Sequence, residues 1–194
     1  IGMKTVVLEA VVEAVPLYKR LGFVEQFKTQ HYLLSPEHRT FDRAEDIEIL
    51  PATSNQLELM APFDRRIFGQ DRLRMLEIAM RNKRFEGFVA LRGGRLAGYL
   101  FLTEGSENRQ VSPMIVHPAA DPDLGVTRSL FAAAFERSTK PLYFRCPLVY
   151  PERSRRLLEC GAREVDYRTI RMYLGAEYLI EPDGVLSLGC PGKG

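Results

Sequence analysis

The spacing of apolar positions along this chain changes several times, and each change marks an element. Val6-Val7-Leu8 is an unbroken apolar run, the pattern of a strand covered on both faces. Val12 to Leu21 then carries apolar residues at helical spacing until Gly22, which stands where a left-handed cap ends a helix, and Phe23 to Leu34 reads as a strand. The same order returns near the other end. Leu142-Tyr143-Phe144 is strand-like, Pro151 to Cys160 is a helix opened by proline, Gly161 is its cap, and Val165 to Leu174 is a strand. Phe27-Lys28-Thr29 matches Tyr167-Arg168-Thr169, and Tyr32-Leu33 matches Tyr173-Leu174. The chain therefore holds two copies of one ending and room for one beginning.

Between the copies, Ser35 to Arg39 is a polar break and Thr40 to Asp46 a charged, aperiodic linker. Ile47 to Leu50 is a short strand ended by Pro51. Thr53, Ser54 or Asn55 can cap the following helix, whose apolar stripe is Leu57, Met60, Phe63 and Ile67, and Pro62 is expected to bend or interrupt it. A second helix opens at Asp71. Phe85–Arg92 and Arg95–Thr103 are strand runs joined by Gly93-Gly94, a two-residue hairpin signal, and Arg109–Val116 is a third strand. After a loop from His117 to Asp123, Leu124 to Ser138 reads as a helix with Val126, Leu130, Phe131, Ala134 and Phe135 inward. In the tail only Val185 to Leu188 looks like strand. The expected organisation is a first unit at 1–34, a linker at 35–46, a second unit at 47–175 and a tail at 176–194. A strand, helix and strand of that size cannot cover its own faces, so the first unit must dock, with Val6, Val7, Leu8, Leu17, Leu21 and Phe23 largely buried.

Composition narrows the function classes. With 27 basic and 25 acidic residues the net charge is +2, too small for the basic field that drives nucleic-acid binding. Cys146, Cys160 and Cys190 are an odd number without CxxC spacing, so neither a disulfide framework nor a zinc site is indicated, and a reduced cytoplasmic protein is the default expectation. No apolar run is long enough for a membrane span. The opening Ile1, almost directly on a strand, implies a chain that begins further upstream.

Strand, two helices, three antiparallel strands, helix, strand, helix, strand is the element order of the GNAT superfamily of acyl-CoA-dependent N-acyltransferases, which residues 47–175 resemble along their length. Leu17-Tyr18-Lys19-Arg20-Leu21-Gly22-Phe23 is similar to the Leu-Tyr-x-x-x-Gly-Phe pattern of that family's last helix, and Leu8-Glu9-Ala10 to the end of its fifth strand. The two units together resemble a tandem GNAT protein, with Arg171-Met172-Tyr173-Leu174-Gly175 similar to the run that ends its C-terminal domain. The resemblance implies an α/β (α+β mixed) fold, a central mixed, mostly antiparallel sheet flanked by helices, plus a partial second GNAT unit.

It also implies an activity, the transfer of an acetyl group from acetyl-CoA to a small-molecule or peptide amine. In the family the pantetheine arm lies as a pseudo-strand in an opening between the fourth and fifth strands, and the pyrophosphate rests on amides at the next helix N-terminus. Here those contacts fall to Val116, Leu124, Gly125 and Val126 as cofactor-binding residues. Pro113, inside its strand, marks either that opening or a plain bulge. Tyr18 holds the position of the catalytic tyrosine that protonates the leaving thiolate. The second unit departs from the pattern: Leu157-Leu158 replaces Leu-Tyr, and His117 to Val126 has one glycine, two prolines that lack amide donors, and Asp121 and Asp123, which repel phosphate or simply cap the helix. The alternative implied is a non-catalytic GNAT-like domain acting as a scaffold, substrate-cleft or dimerisation module, with a homodimer or the upstream part as docking partner.

The remaining candidates are dispersed. His31, His38 and His117 show no metal spacing, so no metal site is expected; Arg153, Arg155 and Arg156 read as a solvated helix face, and Cys146 and Cys160 as small core residues. Glu86, Glu104 and Glu107 lie where a general base could stand, and nothing in the sequence selects among them.

Overall fold

The structure, a computed structural model, describes residues 4–38, 41, 43–149, 151–177 and 180–189, with backbone only at His38 and Pro182. The first unit supplies strand β1 (Thr5–Val11), helix α1 (Val15–Arg20) and strand β2 (Val24–Leu34). The second supplies β3 (Ile47–Pro51), α2 (Leu57–Phe68), α3 (Leu73–Arg81), the meander β4 (Phe85–Arg92), β5 (Arg95–Glu104) and β6 (Arg109–Val116), then α4 (Gly125–Glu136), β7 (Leu142–Pro147), α5 (Pro151–Glu159) and β8 (Arg163–Gly175). A last strand, β9 (Val185–Ser187), comes from the tail.

Local chemistry explains most boundaries. Gly22 and Gly161 take φ of 90° and 88°, the left-handed region that a side chain resists, and each stops its helix at the same point of the repeat. Thr53 and Gln56 form a capping box, the Thr53 amide donating to Gln56 Oε1 at 2.9 Å. Gly93 and Gly94, both with positive φ, close the hairpin between β4 and β5. Two expectations are corrected. Pro62 does not interrupt α2, which continues through it to Phe68, and Val12 to Ala14 is a 3-10 turn, so α1 is shorter than its apolar spacing implied.

All the strands among the described residues lie in one mostly antiparallel sheet, ordered β1-β8-β2-β7-β6-β5-β4-β3, with β9 paired to β6. The first unit is threaded into the second rather than laid against it. Strand β2 lies between β7 and β8, and β8 lies between β1 and β2. Each copy of the repeat thus pairs its first strand with the last strand of the other copy. The registers agree: Leu8 faces Met172 as Phe144 faces Tyr32, and Val11 faces Thr169 as Pro147 faces Thr29. Thr29 and Thr169 face each other on the central pair, so a pseudo-two-fold axis passes between them.

The core lies on both faces. One layer joins α4 to the sheet through Val126, Leu130, Phe131, Phe144, Tyr32 and Leu34, and the other joins α2 and α3 through Met60, Ile67, Phe68, Leu76, Tyr99 and Phe101. The second layer is pinned by a buried polar group: Arg72 donates from Nε to Asp64 at 2.9 Å and stacks over Phe68, while the Tyr99 hydroxyl donates to the same carboxylate. Helix α1 covers a smaller cluster of Ala10, Val15, Ile170 and Met172. Ala10 is buried, but Val6, Leu17 and Leu21 are 40, 48 and 59% exposed, so the expected burial of those three does not hold. Strand β1 has no partner strand on its outer side among the described residues. No helix among the described residues is long and apolar enough to cross a membrane.

Candidate acyl-CoA site

Strands β6 and β7 run parallel and are paired only at Arg109 with Leu142 and Gln110 with Tyr143. Beyond this point they part, and the opening leads toward the N-terminus of α4. Strand β9 fills it. Met114 and Ile115 of β6 take Ser187 and Val185 as antiparallel partners, and on the other side the Leu188 amide donates to the Arg145 carbonyl at 3.0 Å. The Ser187 hydroxyl donates to the Val111 carbonyl at 2.6 Å and accepts from the Arg145 amide at 3.2 Å, bridging the parted strands. Val185, Leu186, Ser187 and Leu188 are all fully buried. The tail is anchored at both ends. The Glu181 amide donates to the Ile67 carbonyl at 2.7 Å, Arg153 pairs with Asp183 at 3.0 Å, and the Arg145 guanidinium donates to the Leu188 and Gly189 carbonyls. A Cβ on Gly184 would stand 2.5 Å from Ile67 Cγ2 and 3.1 Å from the Val116 carbonyl, so only glycine turns the tail into the slot here.

The helix end beyond the slot is closed as well. Asp121 is 2% exposed and its Oδ1 accepts from the Val126 and Thr127 amides at 2.9 and 3.3 Å, while Oδ2 accepts from the Thr127 hydroxyl at 2.5 Å. Asp123 accepts from the Gly125 amide at 3.1 Å, which holds its carboxyl below the usual carboxylate range. Burial pushes the Asp121 carboxyl up, against the hydrogen bonds it receives. Carboxylates of the chain thus satisfy the donors that a phosphate would use. Arginines hold the loop shut: Arg92 donates to the Ala120 carbonyl at 2.5 Å and pairs with Asp46 at 2.9 Å, and Arg156 donates to the Pro122 carbonyl. Val116 ends β6, and Leu124, Gly125 and Val126 stand at the start of α4, beside this closed end. As arranged, the residues present do not fit acetyl-CoA in the second unit.

Tyr18 lies elsewhere, on α1. It is half-buried against Leu8 and Phe23, its ring edge-on to Phe23 at 5.5 Å, and its hydroxyl makes no hydrogen bond among the described residues. The side chain is held by its ring while its polar tip stays available.

Among the dispersed candidates, Arg153 is buried and fastens the tail rather than lining a solvated face; Arg155 does pair with its helix neighbours Glu152 and Glu159. Cys146 is buried, its thiol pushed up to about 12 by desolvation, and Cys160 accepts from Arg128. Glu86 and Glu104 pair with Arg109, each at 2.8 Å. Cys190 and the His38 side chain lie outside the described residues. No group of metal-ligating side chains is present among the described residues.

Sequence reading missed how His31 is used. It is buried where the two copies cross, with Nδ1 against the Tyr143 hydroxyl and Nε2 3.0 Å from Thr169 Oγ1, which itself donates to Glu9 at 2.9 Å. The Thr169 proton is committed to Glu9, so Nε2 carries the histidine proton and Nδ1 accepts from Tyr143. Burial, then the nearby Arg145 charge, lowers the His31 pKa to about 4. The only sequence signal for this arrangement was the pairing of Thr29 with Thr169 in the repeat.

The geometry has counterparts among known proteins. The acetyltransferase (GNAT) domain family matches residues 60–186, from α2 into β9. No curated protein matches the chain. A candidate acetyltransferase from Pyrococcus horikoshii superposes with a TM-score of 0.74 at 22% identity, over 100% of this chain and 61% of that one. A GCN5-related N-acetyltransferase from Sphaerobacter thermophilus gives 0.63 at 12% identity, over 89% of this chain and 61% of that one, and a conserved protein of unknown function from Staphylococcus epidermidis gives 0.66 at 12%, over 90 and 73%. The chain therefore spans less than two thirds of the first of these structures. At such identities the superpositions speak for the fold, and the match to the family domain covers most of the chain; the protein belongs to the GNAT acetyltransferase family.

Proposed function

We propose that this chain is part of an acyl-CoA-dependent N-acetyltransferase in which chemistry takes place beside β1 and α1, where Tyr18 serves as the acid for the departing thiolate. The observation that carries this reading is the pseudo-two-fold pairing. It makes β1 the counterpart of β7, whose outer side takes β6, so the free side of β1 is where a further GNAT-type strand and its acyl-CoA slot would stand. The acceptor is a small-molecule or peptide amine. It must lose a proton before attacking the thioester, and the thiolate must gain one. Tyr18, whose hydroxyl makes no hydrogen bond among the described residues, is suited to the second task.

The second unit, on this reading, contributes structure: its own slot is closed by β9 and its helix end by Asp121 and Asp123. The 194-residue chain alone should release no thiol from acetyl-CoA above background. In a protein that carries this chain together with a complete first unit, Tyr18→Phe should lower kcat by about a hundredfold or more, the usual share of general acid catalysis, with KM little changed. Undiminished turnover by that variant would remove Tyr18 from the mechanism; robust acetylation by the chain alone would return the chemistry to the second unit.

A further inference from the structure

The tail leaves the slot at Gly189, and that residue forms one wall of a separate cleft of about 1330 Å3 between α3 and the adjoining ends of β4, β5 and β6. One face of α3 runs along it, with Met75, Ile78 and Ala79 apolar, and Phe85 and Pro113 also line it. Ile78 is 54% exposed and presents its side chain as apolar surface along this floor.

The charged groups are arranged unevenly around this floor. Arg74 lines one end of the helical face, and Lys83 and Arg84 line the other, just beyond Asn82. None of the three makes an ion pair among the described residues, and all are exposed. The two carboxylates in the cleft do not offset them. Glu86 pairs with Arg109 and Arg137, and Glu104 with Arg109 and Lys140. Arg109, the shared partner of both carboxylates, is 5% exposed and its charge is matched by theirs, which leaves Arg74, Lys83 and Arg84 as the uncompensated charges of the cleft. From Arg74 to Asn82 the helix axis covers about 12 Å, at about 1.5 Å per residue.

We infer that this cleft is a binding site for an elongated organic dianion with an apolar middle, such as a medium-chain dicarboxylate. One acidic group meets Arg74, the other meets Lys83 and Arg84, and the chain between them covers Met75, Ile78 and Phe85. A diamine of the same length would meet like charge at both ends, and a short diacid would reach only one. The ligand is bound, not turned over, since the second unit's acyl-CoA slot is closed. The readout is binding alone, so it is separate from whether the first unit catalyses acetyl transfer.

Calorimetric titration of the 194-residue chain with decanedioate, glutarate, decanoate and decanediamine tests the site. Decanedioate should bind at sub-millimolar concentration and the other three at least about tenfold more weakly. Arg74→Glu, and separately Lys83→Glu with Arg84→Glu, should each weaken decanedioate at least about tenfold. These side chains are exposed, so the variants should keep the parent melting temperature; Arg74→Gln replaces the first if it does not. No decanedioate binding, equal binding of the diamine or of decanoate, or unchanged affinity in both charge-reversed proteins would overturn the assignment.

Discussion

At the scale of single residues, Tyr18, His31 and Asp121 separate chemistry from packing. The Tyr18 hydroxyl has no hydrogen-bond partner among the described residues, so Tyr18→Phe should change stability by less than about 0.5 kcal/mol in urea unfolding. A larger loss would mean that the hydroxyl serves structure. His31 is held neutral, its pKa lowered below that of the unfolded chain, so the folded state binds fewer protons than the unfolded one. Its contribution to stability is therefore full above about pH 6.5 and is lost as pH falls toward 4. Between those values the parent should lose stability more steeply than His31→Gln, by at most about 1.4 kcal/mol per pH unit. Equal slopes would show that His31 is not buried neutral in solution. Asp121 has the opposite sign: its raised carboxyl favours the protonated form, so it adds nothing to acid unfolding.

At the scale of elements, the strands and helices were legible because local chemistry sets them. Gly22, Gly161 and the Gly93-Gly94 hairpin are positions where backbone conformation selects glycine, and the repeat they frame was visible before any pairing was known. The destination of each strand was not visible. Val185 to Leu188 reads as a strand, but its place between β6 and β7 depends on Met114, Ile115 and Arg145, which are distant in sequence. The roles of Asp121 and Asp123 were legible as caps, whereas the buried work of Arg153 was hidden in a helix pattern that looks solvated. Burial along α1 was misjudged because the apolar spacing does not say that β1 lies at the sheet edge. Two substitutions measure this contrast. Leu186→Ala, in a fully buried strand, should cost about 2 to 5 kcal/mol, and Leu21→Ala, 59% exposed, less than about 1 kcal/mol in the same urea experiment. Comparable losses would mean that the α1 face is covered in solution.

At the scale of the whole molecule, the two copies of one strand-helix-strand unit exchange their last strands across Thr29 and Thr169, and neither can leave without breaking the centre of the sheet. This ties a unit whose edge strand has no outer partner among the described residues to one in which β9 fills the opening between β6 and β7 and Asp121 and Asp123 occupy the helix end. The second closure is electrostatic as well as steric. A phosphate charge about 4 Å from either carboxylate meets a repulsion on the order of 4 kcal/mol at an effective dielectric near 20, before any amide is freed. Calorimetric titration of the chain with acetyl-CoA, read together with amide chemical shifts of Gly125, Val126 and Thr127, tests this closure most directly. No affinity tighter than about 1 mM, or roughly 4 kcal/mol, and unmoved amide resonances are the predicted result. Micromolar binding with shifts at those three amides would contradict it.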